Sequence, residues 1–241
     1  MSTYYPAQTE NKEIVLDVGS EKPAFATFVN KTLNYVSLQL GLTSLIVIYM
    51  YVNNVAVINA LTKNPSLVWY PIIMTFVSLI GMHCWKNLRK TMFWLFTLSC
   101  SFMVGISVLQ YSPGIVLNAV VTTSIIVVMA NGYSIWCVKN NKDMTSLEPI
   151  LGMALVTILI ATLINMILKL EFVHLMITIV GIMVFSGFLV VDLAHLYSKN
   201  NQEIFDDPIL AAVAIYLDII NLFLYLLELY DKLSKCGEDD D

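Results

Sequence analysis

The chain has 241 residues, of which 58% are hydrophobic and only 13% are charged, and its formal net charge is −5. Soluble domains are about 45–50% apolar and about 25% charged, so this composition excludes an ordinary soluble domain and favours a protein that crosses a membrane several times. The net negative charge is concentrated at the two ends: Glu10, Glu13, Asp17 and Glu21 precede the first apolar run, and GEDDD closes the chain. The sequence has no basic face suited to nucleic acid, and the partner that it predicts is membrane lipid.

Residues 1–30 are polar and lack the apolar core and cleavage site of a signal peptide, so the first apolar run is expected to direct insertion. Runs of about 20 apolar residues, enough to cross a hydrocarbon core of about 30 Å, follow at 33–52, 67–85, 91–111, 115–138, 147–168, 172–197 and 208–230. Isolated strands cannot span lipid, so these runs are predicted to be helices. We therefore expect an all-α polytopic protein, with a polar tail at 1–30, a seven-helix transmembrane domain at 31–232 and an acidic tail at 233–241. Asp206 and Asp207 can cap the seventh helix, and Pro208 suits its first turn.

The distribution of Lys and Arg predicts the orientation. Nine of them fall on the side that holds the N-terminus and four on the other side, if all seven runs cross. Cytosolic loops carry the excess of Lys and Arg, so the N-terminus is expected in the cytosol and Asn30, the one glycosylation sequon, should stay unmodified. If the seventh run dips into the membrane and returns, the counts become eleven and two. The charge rule therefore leaves a re-entrant seventh segment open.

Two carboxylates interrupt the last two apolar runs. Asp192 lies in FLVVDLAHLY and Asp218 lies in AIYLDIINLF. An ionised carboxylate in hydrocarbon costs about 2.5–3.5 kcal/mol at a helix centre, so retaining two of them indicates a function. Counted along the helices, they lie roughly 8 Å and 15 Å from the boundary that the two runs share. An antiparallel helix pair is expected to bring them within reach of each other.

Two buried carboxylates that share a site cannot easily both ionise, and such a pair holds one proton near neutral pH. When both are ionised, they repel each other or bind a divalent cation, so the pair is predicted to sense protons and to hold Ca²⁺ transiently. The alternative is that each aspartate accepts a hydrogen bond from a neighbouring Ser or Tyr.

A few other polar side chains are candidates to support this pair. His195 follows Asp192 by three residues and is either its partner on one helix face or an interfacial residue. Asn118, Asn131, Asn165 and Asn221 lie in apolar runs, where they either hydrogen-bond between helices or line a polar path. The four cysteines show neither CxxC nor Cys/His ligand spacing, so we assign no disulfide, metal centre or cofactor.

Three segments resemble a known family. AAVAIYLDIINLFLYLLELYDK closely resembles the last-segment signature of the Bax inhibitor-type transmembrane family, also called the TMBIM or lifeguard family. FSGFLVVDLAHLYSK is similar to its sixth-segment motif, with Val191 in place of the usual aromatic residue, and FVNKTLNYVSLQLGLT at 28–43 resembles the entry into its first segment. The resemblance covers about residues 28–232, and the Golgi anti-apoptotic branch, which has cellular and virus-encoded members, looks nearest.

The resemblance implies a seven-helix fold with a central helix. It also implies a pH-sensitive calcium leak from the endoplasmic reticulum or Golgi, gated through Asp192 and Asp218, which lowers store calcium and inhibits apoptosis. In some members an Arg at the end of segment two latches the acidic pair. Here that position falls on or near Asn87, and Lys86 or Arg89 is the candidate substitute.

Two other classes of function compete with the channel. The first is a non-conducting protein that suppresses death signalling through partner proteins in the membrane. The second is an intramembrane aspartyl protease, which normally pairs an aromatic-Asp motif with GxGD, and neither VVD nor YLD lies in a GxGD. We therefore expect no enzyme activity. The permeant ion, calcium, is the expected small ligand.

Overall fold

The computed structural model describes residues 18–142, 144–198 and 207–238, and these form eight α-helices. They are α1 (Val18–Val52), α2 (Asn54–Lys63), α3 (Trp69–Cys84), α4 (Arg89–Val108), α5 (Pro113–Lys139), α6 (Glu148–Leu168), α7 (Glu171–Tyr197) and α8 (Pro208–Glu238). Single 3₁₀ turns precede α3, α4 and α6. Every helix except the short α2 is long and apolar enough to cross a membrane. The prediction of an all-α chain with seven membrane-crossing helices is confirmed.

Several helices extend beyond the apolar runs. The first helix begins at Val18, well before the run that starts at residue 33, and α8 continues to Glu238, into the segment expected as an acidic tail. The segment 53–66, expected as a loop, contains α2. Hydropathy detects the part of a helix that crosses lipid, whereas the helix itself continues wherever backbone hydrogen bonds are not interrupted. The last residues of the expected tail, 239–241, lie outside the described residues.

The last helix, α8, is uninterrupted over 31 residues, which corresponds to about 46 Å. A re-entrant hairpin needs a break in the helix, so the uninterrupted α8 favours the spanning alternative. Asp207 caps the start of α8, because its Oδ1 accepts a hydrogen bond from the Ile209 amide at 2.8 Å, and Pro208 occupies the first turn as expected. Asp206, the other predicted cap, lies outside the described residues.

The helix α8 is the central one. It packs against α1, α4, α5 and α7, while α6 packs on α7 and α3 packs on α4. In the most apolar stretch of α8, 67% of the residues are buried, against 50% or less in the other spans. We call the end of the bundle where α4, α6 and α8 begin the proximal end, and the end where α6 and α8 finish the distal end.

A belt of buried hydroxyl and amide groups joins α1, α4 and α8 in the middle of the bundle. The fully buried Tyr216 shares a hydrogen bond of 2.8 Å with Thr43, and Thr43 shares one of 2.9 Å with Ser101. Gln39 donates to Thr97 at 3.1 Å. Interhelical hydrogen bonds of this kind hold helices together where lipid provides no hydrophobic driving force.

The contact between α7 and α8 is close because α7 carries a glycine there. A Cβ atom added at Gly181 would lie 2.7 Å from ring atoms of Tyr225. The Tyr225 ring also stacks on Phe185 at a centroid distance of 5.7 Å. Small residues let neighbouring helices approach in this way, and the approach helps to set the register of α7 on α8.

Candidate functional site

The structure brings the two intramembrane aspartates together. Asp192 lies one and a half turns before the end of α7, and Asp218 lies about three turns into α8. The contacts of Thr178 with Glu228 and of Gly181 with Tyr225 show that α7 and α8 are antiparallel. In this register the two aspartates are offset by about one helical turn along the helix axes. Their carboxyl groups lie within hydrogen-bonding range of each other. The predicted juxtaposition is therefore present.

The surroundings of this carboxyl pair (Asp192 and Asp218) are apolar and tightly packed. Asp218 is only 7% exposed, and the neighbouring side chains Leu189, Leu193 and Leu222 are buried. Within residues 18–142, 144–198 and 207–238, no N–H or O–H donor reaches the buried Oδ2 of Asp218. Ionised carboxylates are acceptors only, so two carboxyl groups hydrogen-bond to each other only when one of them carries a proton. The arrangement suits a pair that shares a single proton.

Two carboxyl groups are few ligands for a resident calcium ion, which takes six to eight oxygen ligands. The described part of the chain has no group of three or more His, Cys, Asp or Glu side chains placed to hold a metal ion. The transient calcium site predicted at Asp192 and Asp218 therefore remains a prediction about a passing ion, whose other ligands would be water.

His195 lies in the last turn of α7 and is 3% exposed. Its Nε2 atom is 2.9 Å from Oε1 of Glu148, the first residue of α6. Neither of the two alternatives drawn from the sequence for His195 included this contact. The Glu148 side chain is 40% exposed, so it contacts solvent on one side and His195 on the other.

The predicted latch does not reach the carboxyl pair. The Arg89 Nη1 atom lies 2.7 Å from Asp207 Oδ2, and its Nε donates to the Met82 carbonyl at 3.1 Å. Lys86 and Asn87 are exposed in the turn before α4. No Lys or Arg among the described residues forms an ion pair with Asp192 or Asp218. The physical reason is geometric: Arg89 lies at the first residue of α4, level with the start of α8 rather than with Asp218.

The distal end contains a cavity of about 600 Å³ between α6, α7 and α8. Its polar lining includes Asn165, Lys169, Glu171, His174, Asn221 and Glu228. Asn221 is one helical turn from Asp218, and Glu228 is two further turns along α8, so all three share one face of that helix. The polar lining of the cavity thus extends to within a turn of the carboxyl pair.

Charged side chains gather at the mouth of this cavity. Glu228 accepts a hydrogen bond from the buried Thr178 at 2.7 Å and lies 2.8 Å from His174 Nδ1 and 3.2 Å from Lys232 Nζ. Tyr111, in the turn between α4 and α5, lies nearby. Burial raises the pKa of Tyr111, and the carboxylates of Glu228 and Asp231 raise it further. The charged side chains at the cavity mouth therefore interact electrostatically with Tyr111 as well as with one another.

The four asparagines have different roles. Asn131 accepts a hydrogen bond from the Tyr197 hydroxyl at 2.6 Å and so joins α5 to α7. Asn165 accepts one from the Leu170 amide at 3.0 Å, where Lys169 ends α6 in a left-handed conformation. Asn221 donates to Leu217 within α8 and lines the distal cavity. Asn118 is exposed. Only Asn131 bridges helices through its side chain, and Asn221 is the one of the four that the cavity connects to the carboxyl pair.

Sequence reasoning missed three side-chain pairings: Glu148 with His195, Glu228 with His174, and Arg89 with Asp207. The sequence predicts Arg89 as a latch candidate and Asp207 as a helix cap. It predicts His195 as either a partner of Asp192 or an interfacial residue. The signal that points to them is the presence of oppositely charged residues at the same end of different helices, and this becomes specific only when the helix packing is known.

The fold and the site define a class: an all-α membrane protein of seven long apolar helices packed around a central last helix, with a carboxyl pair between the last two helices. A sequence profile of the family described as inhibitor of apoptosis-promoting Bax1 matches residues 25–235. The chain therefore belongs to the Bax inhibitor family, as the resemblance predicted.

Individual relatives agree with this assignment. The chain is 33% identical over 208 residues to the BI1-like protein of Arabidopsis thaliana, covering 84% of this chain and 79% of the relative. It is 29% identical over 209 residues to Protein LIFEGUARD 4 of Arabidopsis thaliana, covering 84% of this chain and 83% of the relative. The Golgi anti-apoptotic protein of Vaccinia virus (strain Lister) is 31% identical over 140 residues, 58% of this chain and 56% of the relative.

Proposed function

We propose that this protein is a proton-sensitive calcium leak channel of an intracellular membrane that lowers store calcium and inhibits apoptosis. The observation that carries the proposal is the carboxyl pair: Asp192 and Asp218 lie within hydrogen-bonding range inside an apolar bundle. An intramembrane ionisable residue is costly, and such residues mark ion pathways and proton relays.

The distal cavity supports an ion route. Its polar lining begins at Glu228 and ends at Asn221, one turn from Asp218. With the N-terminus in the cytosol, as the Lys and Arg bias predicts, this cavity faces the lumen of the store. Carboxylates at its mouth attract cations, and the carboxyl pair then separates the cavity from the proximal end.

Inhibition of apoptosis is proposed from the names of the relatives. The vaccinia relative is a Golgi anti-apoptotic protein, and the family is described by inhibition of apoptosis-promoting Bax1. Residence in the Golgi or endoplasmic reticulum is proposed on the same basis. Neither name specifies whether the relative conducts ions, so a non-conducting protein that acts through membrane partners is the competing function.

Calcium flux in liposomes that contain only the purified protein separates these two functions. Liposomes loaded with calcium should lose it faster with protein than without, and the rate should change between about pH 6 and 8, where a coupled buried pair titrates. A matched control is the double variant Asp192→Asn/Asp218→Asn at equal protein density, which should leak without that pH dependence. A parent protein whose flux equals that of empty liposomes at every pH would favour the partner-mediated function.

A further inference from the structure

The contact between Glu148 and His195 lies beside the carboxyl pair and is not used in the proposed function. It joins the first residue of α6 to the last turn of α7, with Oε1 and Nε2 2.9 Å apart. The His195 side chain is 2% exposed, whereas that of Glu148 is 40% exposed. The contact therefore links a group that solvent reaches to one that solvent hardly reaches.

Both residues are close to Asp192. His195 follows it by three residues on α7, which places the two on one helix face. The Glu148 carboxylate is near enough to Asp192 for a direct Coulomb interaction. A negative charge beside a carboxyl group favours its protonated form, and a positive charge favours its ionised form.

Other groups at this end of α7 come from the helices packed against it. Asp218 on α8 belongs to the carboxyl pair, and Asp207 before α8 is paired with Arg89. On α5, the Ser134 hydroxyl donates to the Val190 carbonyl, and Asn131 accepts a hydrogen bond from the Tyr197 hydroxyl. The other polar or titratable side chains of α5 here are the buried thiol of Cys137 and the exposed Lys139. Among the described neighbours on α6, Glu148 is the carboxylate that pairs with α7.

We propose that Glu148 and His195 form a carboxylate–imidazolium pair in which His195 neutralises a charge next to Asp192 and Asp218, and thereby sets the pH at which the carboxyl pair exchanges its proton. His195 is thus a positioning residue for the carboxyl pair and not part of it. Histidine suits this task because it changes charge in the same range, between about pH 5 and 8. The effect on leak rests on the proposed function, whereas the effect on the carboxyl pair does not.

The direct test is infrared spectroscopy of the protein in lipid bilayers across a pH series. The carbonyl band of the protonated carboxyl pair is identified by its loss in Asp192→Asn and Asp218→Asn. In His195→Gln the Glu148 carboxylate keeps its charge without a cation, so the midpoint of this band should rise by about one pH unit. In the double variant Glu148→Gln/His195→Gln both charges are gone, and the midpoint should return close to the parent value.

The double variant separates an electrostatic effect from a structural one. If the contact only held α6 against α7, removing both partners would disturb the site at least as much as removing one. The control is His174→Gln, which breaks the corresponding pair with Glu228 at the distal end. His174 lies 18 residues before Asp192, about 27 Å along the helix, so the midpoint should not move.

The same variants are then measured for calcium leak. A shifted infrared midpoint with a matching shift of the leak profile supports both the inference and the proposed function. A shifted infrared midpoint without any leak from the parent retains the inference and rejects the channel. An infrared midpoint that is unchanged in His195→Gln, or a parent without a protonated carboxyl band, overturns the inference whatever the leak shows.

Discussion

At the scale of single residues, Asp218 combines a buried position with a shortage of hydrogen-bond donors. Asp218 is 7% exposed, and in the described part of the chain the group that approaches it is the carboxyl of Asp192. Each aspartate therefore contributes directly to the electrostatic environment of the other. Substitutions at the two positions should not act independently, because residues in one network couple strongly.

The first prediction concerns this coupling. Asp192→Asn and Asp218→Asn each remove one charge and keep the shape of the side chain, so each should flatten the pH dependence of calcium leak between about pH 6 and 8. The double variant should resemble either single variant, since one missing partner already abolishes the shared proton. Flux in liposomes at several pH values, at matched protein density, measures all four profiles. Single variants that keep the parent's profile would show that the pair is structural.

The second prediction concerns Gly181. In Gly181→Ala the new Cβ would lie 2.7 Å from the Tyr225 ring, which Phe185 already contacts on one face. Overpacking of this kind costs about 1–3 kcal/mol, so thermal unfolding in detergent should begin several degrees lower. Gly132→Ala is the matched control, because nothing lies within 4 Å of a Cβ there and Ala is the better helix former.

A double variant tests whether the clash is the cause. Replacing Tyr225 by Leu removes the ring, so Gly181→Ala should cost less in that background than in the parent protein. Equal losses in the two backgrounds would mean that Gly181 contributes through something other than its contact with Tyr225.

At the scale of secondary-structure elements, the proximal start of α8 depends on one side chain from another loop. Asp207 caps α8 through Oδ1 and binds Arg89 through Oδ2, and the two side chains are 27% and 13% exposed. Arg89 also holds the end of α3 through the Met82 carbonyl. The ion pair therefore connects α3, α4 and α8 at the proximal end of the bundle, about three helical turns from Asp218.

The third prediction separates the two roles of Asp207. Asp207→Asn keeps a capping side chain and removes the charge, so stability should fall by about 1–2 kcal/mol, because the largely buried Arg89 is left without its partner. Asp207→Ala removes the cap as well and should cost about 1 kcal/mol more. Thermal unfolding of purified protein gives the order. Lys235→Gln serves as control, since the Lys235 side chain is 70% exposed and its pair with Asp231 should contribute nothing measurable.

Equal stability of Asp207→Asn and the parent would show that the ion pair is neutral overall and that the cap alone matters. Arg89→Gln should cost at least as much as Asp207→Asn, because it leaves Asp207 without its cation and also removes the hydrogen bond to the Met82 carbonyl.

At the scale of the whole molecule, the orientation decides which end of the bundle faces the store. The proximal end holds Arg89, Asp207 and the Glu148–His195 contact, and the distal end holds the cavity with Glu228. A lumenal cavity is required if calcium leaves the store through it. The bias of nine against four Lys and Arg predicts this orientation.

The fourth prediction tests the orientation. A tag at the N-terminus should be digested by protease added outside sealed vesicles. A tag inserted in the turn at 112–114 should be protected, because three spans lie between the two positions and place them on opposite sides of the membrane. Asn30, exposed on α1, should carry no glycan. A protected N-terminal tag, or a glycan on Asn30, would place the cavity on the cytosolic side and remove its proposed role.

The sequence by itself determined the seven membrane-spanning helices and the candidate site residues. Seven apolar runs of bilayer length admit one kind of secondary structure, because lipid leaves no other way to satisfy the backbone. Asp192 and Asp218 were recognisable because a carboxylate is costly in an apolar run, and the juxtaposition followed from their similar depth on consecutive helices. The IYLDIINLF segment indicated the family.

Only the tertiary structure decided which side chains meet across helices that are distant in the chain. Arg89 and Asp207 are separated by 118 positions, and their pairing depends on how α4 packs against α8. His195 meets Glu148, rather than being simply interfacial, because α6 packs on α7 with its start level with the last turn of α7. Spacing along one helix specifies the face and the depth of a side chain. Which other helix packs against that face depends on the packing of the whole bundle, and no local sequence pattern specifies it.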